Sequence, residues 1–309
     1  MDDPKTLGRT RLSFAGEADI DEFVATLERF ERGELTPDQW RAFRLVRGTY
    51  GQRQTGDVQM LRVKIPQGIL NAAQLEALAE VGEQYSRGFG HITTRQNVQF
   101  HFMTLHDAGP AMRRLAEAGL TTREACGNSV RNITCCPYAG VASDEVFDVT
   151  PYSEAMTRYF LRHPLSSSLP RKFKIAFEGC SEDHALTPMH DIGWRAVTRG
   201  TGKSAQRGFR VLVGGGINDG GAAYGRLAAK VPARRLVETL ERLLRLYQRE
   251  RATDETATSF FMRVEVSRVR EVLADLERLT LEDALPEDFV DLAEETEFKP
   301  EIQEGECSA

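Results

Sequence analysis

Basic side chains recur beside apolar residues in several short segments of this sequence. Arg62 and Lys64 alternate with Leu61 and Val63, so a strand here would present both cations on its polar face. Planar guanidinium groups bind carboxylates through paired hydrogen bonds, and a lysine crowded by other cations has a lowered pKa and becomes a usable proton donor. The other segments of this kind carry Arg95 with Gln99, Arg131, and Lys172 with Lys174.

The residues alone leave two interpretations of these cations open. Strands normally present cations to water, and for any single segment a solvated face is the favoured interpretation. Four segments with the same pattern favour a second interpretation, in which the polar faces converge on one pocket. The combined pattern therefore predicts an anion-binding site.

Two glycine-rich segments resemble nucleotide-binding motifs but lack the required spacing. In Gly200-Thr-Gly-Lys-Ser204, Val197 stands where a phosphate-binding loop needs its first glycine. After the run Gly214–Gly216, Asp219 stands in the third glycine position of a dinucleotide fingerprint. A tight turn is predicted there instead.

The cysteines and histidines do not form a recognisable metal motif. The five cysteines include no C-x-x-C, and the six histidines include no H-x-x-x-H. Cys135 and Cys136 are adjacent, and we expect both to pack as small hydrophobic residues. No metal-binding residue is predicted within this sequence.

The elements that must position the cations form two predicted units in an α+β protein. Alternation and helical spacing predict, in the first unit, a strand at 58–65, a helix at 71–87, a strand at 91–103 and a helix at about 108–118. This order is typical of half a ferredoxin-like unit. We assign residues 55–125 to this half-domain and residues 1–54 to a helical N-terminal extension.

Residues 126–280 have the pattern of a larger α/β domain. The predicted elements are strands at 131–136, 173–177, 209–213 and 260–266, and helices at 232–249 and about 269–276. The remaining residues, 281–309, contain eleven acidic residues and one lysine. We expect them to form a solvated acidic tail.

The overall charge excludes some classes of function. The formal net charge is −6, which argues against a protein that coats nucleic acid. Residues 1–280, with 39 basic and 35 acidic residues, are mildly cationic. No apolar run approaches the length of a membrane helix, and the N-terminus lacks the order of a signal peptide. We expect a cytoplasmic protein with no nucleic-acid or membrane partner.

Six short motifs lie in a fixed order along the chain. They are Tyr50–Gln54 (YGQRQ), Met60–Pro66 (MLRVKIP), Gly90–His101 (GHITTRQNVQFH), Arg131–Thr134 (RNIT), Leu169–Lys174 (LPRKFK) and Gly208–Gly216 (GFRVLVGGG). In sequence and in order they resemble the sirohaem-dependent nitrite and sulfite reductase family, over about residues 45–280. The resemblance implies a ferredoxin-like half-domain followed by a sirohaem-reductase domain, which is one copy of the unit that this family has in duplicate.

The resemblance also implies roles for the cations. In this family, cationic residues surround the carboxylate-rich sirohaem, whose iron binds sulfite or nitrite and is bridged through a cysteine to a [4Fe–4S] cluster. By resemblance, the residues that hold the substrate anion and supply protons are Arg62, Arg131, Lys172 and Lys174. By resemblance, the residues that bind the cofactor are Arg95, Gln99, Asn132 and Arg171.

The cysteines depart from the family pattern. Family members carry C-x5-C and C-x3-C in the second copy of the unit, where these cysteines bind the cluster and the sirohaem iron. Neither spacing occurs here, and Ala252–Ser259 lacks the basic residues expected before the last strand. The resemblance therefore implies an N-terminal half that shares sirohaem with a missing C-terminal half, while the ligands of the [4Fe–4S] cluster are absent from this chain.

Three functions are compatible with these features. The first is half of a sirohaem reductase, completed by a C-terminal half or by a second copy of the chain, with a small oxyanion as substrate and an unidentified electron donor. The second is a non-catalytic protein of the same fold that binds a tetrapyrrole or a protein partner. The third is a relative that works in cobalamin-ring biosynthesis. We expect the first, with no preference assigned between sulfite and nitrite.

Overall fold

The computed structural model describes residues 13–53, 58–167, 169, 172–199 and 206–277. Within these ranges the chain forms two adjoining α+β units, each with its own apolar core, as the sequence predicts. No helix in these ranges is long and apolar enough to cross a membrane. Arg171, the glycine-rich segment Gly200–Ser204 and the acidic residues 281–309 lie outside the described residues.

The first unit is a four-stranded antiparallel sheet packed against helices. Its elements are α1 (Glu17–Glu31), α2 (Pro37–Val46), β1 (Thr49–Gly51), β2 (Val58–Val63), α3 (Ala72–Tyr85), β3 (His91–Ile92), β4 (Val98–Thr104) and α4 (Leu105–Glu117). The strand order in the sheet is β1–β2–β4–β3.

Side-chain caps begin α3 and α4, which pack against this sheet, close to the predicted positions. The Asn71 side chain accepts a hydrogen bond from the Gln74 N–H at 2.9 Å, and the Gln74 side chain accepts one from the Asn71 N–H at 3.1 Å. The Thr104 hydroxyl accepts from the Asp107 N–H at 3.2 Å and begins α4. The helices predicted at 71–87 and 108–118 are therefore confirmed.

The N-terminal helices belong to the first unit. Phe23, Leu27 and Trp40 are buried in the same core as Leu61 and Phe100. In addition, β1 pairs antiparallel with β2. The predicted boundary at residue 54 therefore does not separate the helices from the sheet.

A turn interrupts the strand predicted at 91–103. β3 pairs antiparallel with β4, and Gln96, between them, has a left-handed φ of 56°. The Thr93 hydroxyl accepts from the N–H groups of Arg95 and Asn97, each at 3.2 Å, and closes the turn. Arg95 therefore lies in this turn and not on a strand face with Gln99. The alternating pattern continues through the turn, so the sequence alone predicts one continuous strand.

The second unit is built on a mixed five-stranded sheet. Its elements are β5 (Thr134–Cys135), α5 (Thr150–Phe160), α6 (Pro164–Ser167), β6 (Ile175–Glu178), β7 (Ile192–Arg199), β8 (Gln206–Val213), β9 (Gly216–Asn218), β10 (Gly221–Ala223), β11 (Arg226–Pro232), α7 (Leu236–Glu250), α8 (Ala257–Arg263) and α9 (Val266–Glu277). The strand order in the five-stranded sheet is β11–β8–β7–β6–β5. Strands β5, β6 and β7 are parallel, whereas β7, β8 and β11 are antiparallel.

The segment predicted as a strand at 260–266 is helical, so this prediction is wrong. The Thr256 hydroxyl accepts from the Ser259 N–H at 3.1 Å and starts α8. Phe260, Phe261 and Val264 are all buried. A short run of buried apolar residues does not distinguish a strand from a short helix, and periodicity alone misassigned it.

The predicted turn at Gly214–Gly216 is confirmed and connects β8 with β9. Gly214 has a φ of 81°, which favours glycine, and the Gly215 N–H donates to the His190 carbonyl oxygen at 3.0 Å. A Cβ on Gly215 would lie 1.9 Å from the Pro188 carbonyl oxygen. Two backbone segments thus pack too closely here for any side chain.

Gly215→Ala should lower the free energy of unfolding by about 1–3 kcal/mol or more, because the new methyl group forces the two backbone segments apart. The measurement is urea denaturation of the purified chain. Gly220→Ala is the control, since a Cβ there meets only the Asn218 side chain, at 3.2 Å. Equal midpoints for the two variants would contradict the packing described.

Candidate functional site

Cationic and polar side chains from four separate segments line one cavity of about 640 Å³. The cavity lies where the two units meet, because its wall contains residues of both. Its volume suits a small-molecule or cofactor site. The predicted residues in its wall are Arg62, Arg95, Gln99, Arg131, Lys172 and Lys174.

Neutral acceptors hold Arg62 and Arg131 close together. Arg131 Nη1 donates to the Ala125 carbonyl oxygen at 2.9 Å, and Arg62 Nη1 donates to the same oxygen at 3.4 Å. Gln99 faces Arg62 across β2 and β4, and its amide oxygen, when oriented toward Arg62, accepts from Arg62 Nε at 2.7 Å. These acceptors carry no formal charge, so the positive charge of both guanidinium groups stays available to a ligand.

Arg95 is fixed by carbonyl oxygens of the second unit. Its Nη2 donates to the carbonyl oxygens of Asn132 and Ile175, the latter at 2.9 Å. Burial lowers the pKa of Arg95 to about 10, so the group is still charged at neutral pH.

Backbone pairing places the lysines beside Arg131. The Arg131 N–H donates to the Phe173 carbonyl oxygen at 2.8 Å, and the Lys174 N–H donates to Asp191 Oδ2 at 2.8 Å. Lys172, the residue before Phe173, has a left-handed φ of 71°. Lys172 is exposed and Lys174 is half-buried, and both line the cavity.

Asn132 does not line the cavity, in contrast to the expected cofactor contact. Its side chain is fully buried, and Nδ2 donates to the carbonyl oxygens of Ile65 at 2.7 Å and Arg95 at 2.9 Å. Asn132 therefore connects the two units and positions the turn that carries Arg95.

Lys64 lies outside the cavity, although alternation pairs it with Arg62. β2 ends at Val63, and Lys64 is buried with Nζ 4.0 Å from Glu124 Oε2. Burial lowers the pKa of Lys64 to about 8, opposed by the carboxylate of Glu124. The prediction that Arg62 and Lys64 share a functional face is therefore wrong, because the strand ends between them.

Glu124 anchors the loop that presents the Ala125 carbonyl oxygen. It is fully buried with a left-handed φ of 56°. Its Oε1 accepts from the Arg162 N–H at 2.9 Å and from the Ser166 hydroxyl at 3.1 Å. The position of the acceptor shared by Arg62 and Arg131 thus depends on a buried carboxylate next to it in sequence.

The cavity wall contains two buried N–H groups that lack an acceptor. Arg95 Nε and Arg131 Nε are buried, and neither has a hydrogen-bond partner in the described part of the chain. An unpaired buried donor costs about 1–3 kcal/mol. A ligand with several carboxylates, such as sirohaem, would satisfy both, so the residues present fit such a group.

A second group of chemically active side chains was not predicted from the sequence. Ligand atoms of Cys136, Glu178, Cys180 and His184 all lie within 4.8 Å of one another. Cys136 therefore does not simply pack as a small hydrophobic residue. Burial raises the pKa of both thiols, that of Cys180 to about 11, so neither is a ready nucleophile.

Glu178, Cys180 and His184 lie within seven residues of one another, but Cys136 follows a different strand, which is adjacent to them only in the folded sheet. Parallel pairing of β5 with β6 was the signal that could have revealed it. Other residues of the cavity wall that the sequence did not single out are Tyr50, Met60, His91, Ile92, Thr93, Thr94, Asn97 and Ala125.

Two family models match this chain. Residues 126–280 match the "Nitrite and sulphite reductase 4Fe-4S domain", and residues 50–118 match the "Nitrite/Sulfite reductase ferredoxin-like half domain". The second match agrees with the ferredoxin-like fold predicted for the first unit.

Curated relatives are reductases that are longer than this chain. A ferredoxin–nitrite reductase of Leptolyngbya laminosa is 40% identical over 50% of this chain and 31% of its own length. An assimilatory ferredoxin-dependent nitrite reductase of Haloferax mediterranei is 34% identical over 65% and 37%, respectively. A sulfite reductase [ferredoxin] of Mycobacterium tuberculosis is 34% identical over 56% and 30%. The chain thus spans about a third of the length of the curated relatives it matches.

Solved structures show the same fold. The Mycobacterium tuberculosis NirA protein superposes with a TM-score of 0.70 at 24% identity, over 84% of this chain and 53% of that chain. Dissimilatory sulfite reductase I superposes with a TM-score of 0.60 at 14% identity, over 74% and 71%.

The buried Lys64 makes stability depend on pH in a defined direction. Its pKa of about 8 in the folded chain lies below the usual value of a lysine, so between these values the unfolded chain binds more protons. Raising the pH from 8 to 10 should therefore increase the free energy of unfolding of the wild type relative to Lys64→Met, on the order of 1–3 kcal/mol. Urea denaturation at several pH values measures this difference. A difference that stays constant or falls would contradict the buried, cationic environment of Lys64.

Proposed function

Because this chain belongs to the nitrite and sulfite reductase family, we propose that it supplies the sirohaem- and oxyanion-binding part of such a reductase. The observation that carries this proposal is the convergence of six predicted polar and cationic side chains on one cavity between the two units. The cavity combines fixed positive charge with buried N–H groups that lack acceptors.

The carboxylates of sirohaem are the proposed partners of the deeper guanidinium groups. Arg95 is held by two carbonyl oxygens and keeps its Nε for a ligand, and Gln99 lies next to Arg62 in the same wall. Arg171 is assigned to the same task by its position in the LPRKFK motif. Sirohaem, when bound, supplies the iron centre at which the oxyanion is reduced.

The substrate anion is the proposed partner of Arg62, Arg131, Lys172 and Lys174. Fixed N–H donors of both arginines stabilise negative charge on the oxyanion without reorganisation during the reaction. The oxygen atoms that leave as water must receive protons, and the ammonium groups at Lys172 Nζ and Lys174 Nζ hold protons at the cavity wall. Both sulfite and nitrite can be bound by this set of donors.

The redox chain is completed outside this sequence. The spacings C-x5-C and C-x3-C do not occur in the chain, so we assign the ligands of the [4Fe–4S] cluster to a C-terminal half or a second chain. The names of the relatives make a ferredoxin the electron donor to test first. A cytoplasmic location is part of the same proposal.

The relatives also support one of the compatible functions over another. Those described above are nitrite and sulfite reductases, which favours a catalytic role over a non-catalytic binding protein. Both the reductase and the non-catalytic binding protein would use the site as an anion pocket. The two functions differ only in whether the assembled protein reduces substrate.

Arg131→Ala and Lys174→Ala should each weaken sirohaem or oxyanion binding about 10- to 100-fold, because each removes a charge-assisted hydrogen bond worth about 1.5–3 kcal/mol. Sirohaem affinity is measured by absorption titration of the purified chain, and sulfite affinity by its effect on the spectrum of the loaded protein. Lys230→Ala and Arg249→Ala are matched controls, since both residues are exposed and lie outside the cavity wall. Wild-type affinities for both ligands in both cavity variants would remove these residues from the site.

Co-expression with a segment that carries C-x5-C and C-x3-C tests the catalytic part of the proposal. The assembled protein should contain sirohaem coupled to a cluster and should reduce nitrite or sulfite with reduced ferredoxin. An assembly that binds sirohaem but reduces neither anion would instead support the non-catalytic binding protein.

A further inference from the structure

Four side chains around the ends of β5 and β6 form a compact set of metal ligands. The sulfur atoms of Cys136 and Cys180 are 3.6 Å apart, and Cys136 Sγ lies 3.6 Å from His184 Nδ1. A carboxylate oxygen of Glu178 completes a group in which all four ligand atoms lie within 4.8 Å of one another. We propose that Cys136, Cys180, His184 and Glu178 bind a single Zn²⁺ ion. This proposal does not depend on the proposed reductase function.

The spacing of the ligand atoms is that of a mononuclear tetrahedral site. Zn–S distances of about 2.3 Å and Zn–N distances of about 2.0–2.1 Å place two sulfurs about 3.8 Å apart and a sulfur and a nitrogen about 3.6 Å apart. Both values lie close to the 3.6 Å separations observed. Sulfur, imidazole and carboxylate ligands in one small group are typical of zinc.

The spacing also disfavours a [4Fe–4S] cluster on these residues. Cysteines that bind different irons of a cluster are separated by the body of the cluster. The two sulfurs here, at 3.6 Å, leave room for one ion between them and not for a cube of iron and sulfide.

The parallel sheet brings the ligands together. β5 and β6 pair in parallel, so their carboxyl ends lie at the same edge, and Cys136 follows β5 while Glu178 ends β6. The Cys136 N–H donates to the Phe177 carbonyl oxygen at 3.0 Å and fixes this register.

The Glu178 carboxylate folds the next loop back onto the group. Its Oε1 accepts from the Cys180 N–H and its Oε2 from the Ala185 N–H, both at 2.8 Å. The loop after β6 thereby brings His184 back to the edge of the sheet where β6 ends. The backbone thus holds the ligand set in place.

The surroundings match those of a bound imidazole. The Glu182 carboxylate lies 3.7 Å from His184 Nε2, on the side away from the thiols. Metal-binding histidines usually direct the second ring N–H toward such a carboxylate. The ring of Tyr138 packs edge-on against His184, with the ring centroids 4.8 Å apart, and restricts its orientation.

The buried charge of Glu178 also calls for a cation. The carboxylate is fully buried, and within the described ranges neither a lysine nor an arginine forms an ion pair with it. Cys136 and Cys180 are each only 3% exposed. A divalent ion would neutralise this pocket, because a buried carboxylate that is hydrogen-bonded only to neutral N–H groups still lacks a compensating charge.

Zinc at this position would fix a loop that lines a second cavity. That cavity, of about 400 Å³, contains His184 and His190 from the loop together with Arg95 and Lys174, which also line the larger cavity. The role we assign to the ion is therefore structural: it ties the loop after β6 to the end of β5.

The test uses the full chain, produced in zinc-supplemented medium and purified without chelators or a metal-binding tag. Inductively coupled plasma mass spectrometry should find about one zinc ion per chain. Replacement of zinc by Co²⁺ should give the visible absorption of a tetrahedral thiolate site. Zinc should also protect Cys136 and Cys180 from alkylation until a strong chelator is added.

The zinc affinity should fall in each of three variants, Cys136→Ser, Cys180→Ser and His184→Ala. Each loss should exceed the 10- to 100-fold that is typical when a group hydrogen-bonded to a metal ligand is changed. Cys135→Ala is the matched control, because this neighbouring thiol packs in the core and is not one of the ligands. Circular dichroism of each variant separates loss of zinc from loss of fold. Alkylation of the wild-type chain tests the site even if a variant does not fold.

Several outcomes would overturn the proposal. They are a zinc-free wild type with freely alkylated thiols, a Cys136–Cys180 disulfide in the purified chain, iron and sulfide in place of zinc on these cysteines, and zinc retained by the folded Cys136→Ser and Cys180→Ser variants. None of these outcomes bears on sirohaem binding, so the zinc site and the reductase function fail separately.

Discussion

The site depends on holding several like charges around one cavity. Two unit charges 4 Å apart repel by about 4 kcal/mol at an effective dielectric constant of about 20, so a fold that gathers arginines must offset this cost. This protein does so mainly with backbone carbonyl oxygens. The Ala125 carbonyl oxygen accepts from Arg62 and Arg131, and those of Asn132 and Ile175 accept from Arg95. Carboxylate partners would have fixed the same side chains but neutralised them.

The same constraint explains why the polar groups behind the cavity are buried. Glu124 holds the loop that presents the Ala125 carbonyl oxygen, and Asn132 ties the Arg95 turn to the other unit. Neither side chain lines the cavity, yet both decide where its charges lie. The anion site is therefore a property of the junction between the two units, and each unit alone would present only part of it.

Residue type and local spacing were sufficient to predict the chemistry but not all of its placement. Alternation identified Arg62 as a wall residue, and the LPRKFK motif identified Lys172 and Lys174, because these signals are local. Alternation failed for Lys64, since a strand end is not visible in a pattern of period two.

The same limit applies to the elements and to the second site. The turn that carries Arg95 has the same alternating pattern as the strand after it. The helix at Ala257–Arg263 has a short apolar run that is equally typical of a buried strand. The Cys136–His184 group escaped prediction because it depends on the pairing of β5 with β6, which is a long-range contact. Glu178, Cys180 and His184 lie within seven residues of one another, but Cys136 lies 42 residues before Glu178, and no local spacing reveals that it joins them.

We propose that side chains of both units act on one ligand, and chemical modification with and without sirohaem shows whether they do. Arg62, Lys172 and Lys174 are half-buried or exposed, so reagents specific for arginine and lysine can reach them, and mass spectrometry gives their individual rates. We expect sirohaem to slow modification of all three residues together and to leave the rates at the exposed Lys230 and Arg249 unchanged. Modification of Arg62 that proceeds at the same rate in the loaded protein, while the lysines are protected, would show that the units do not share a ligand.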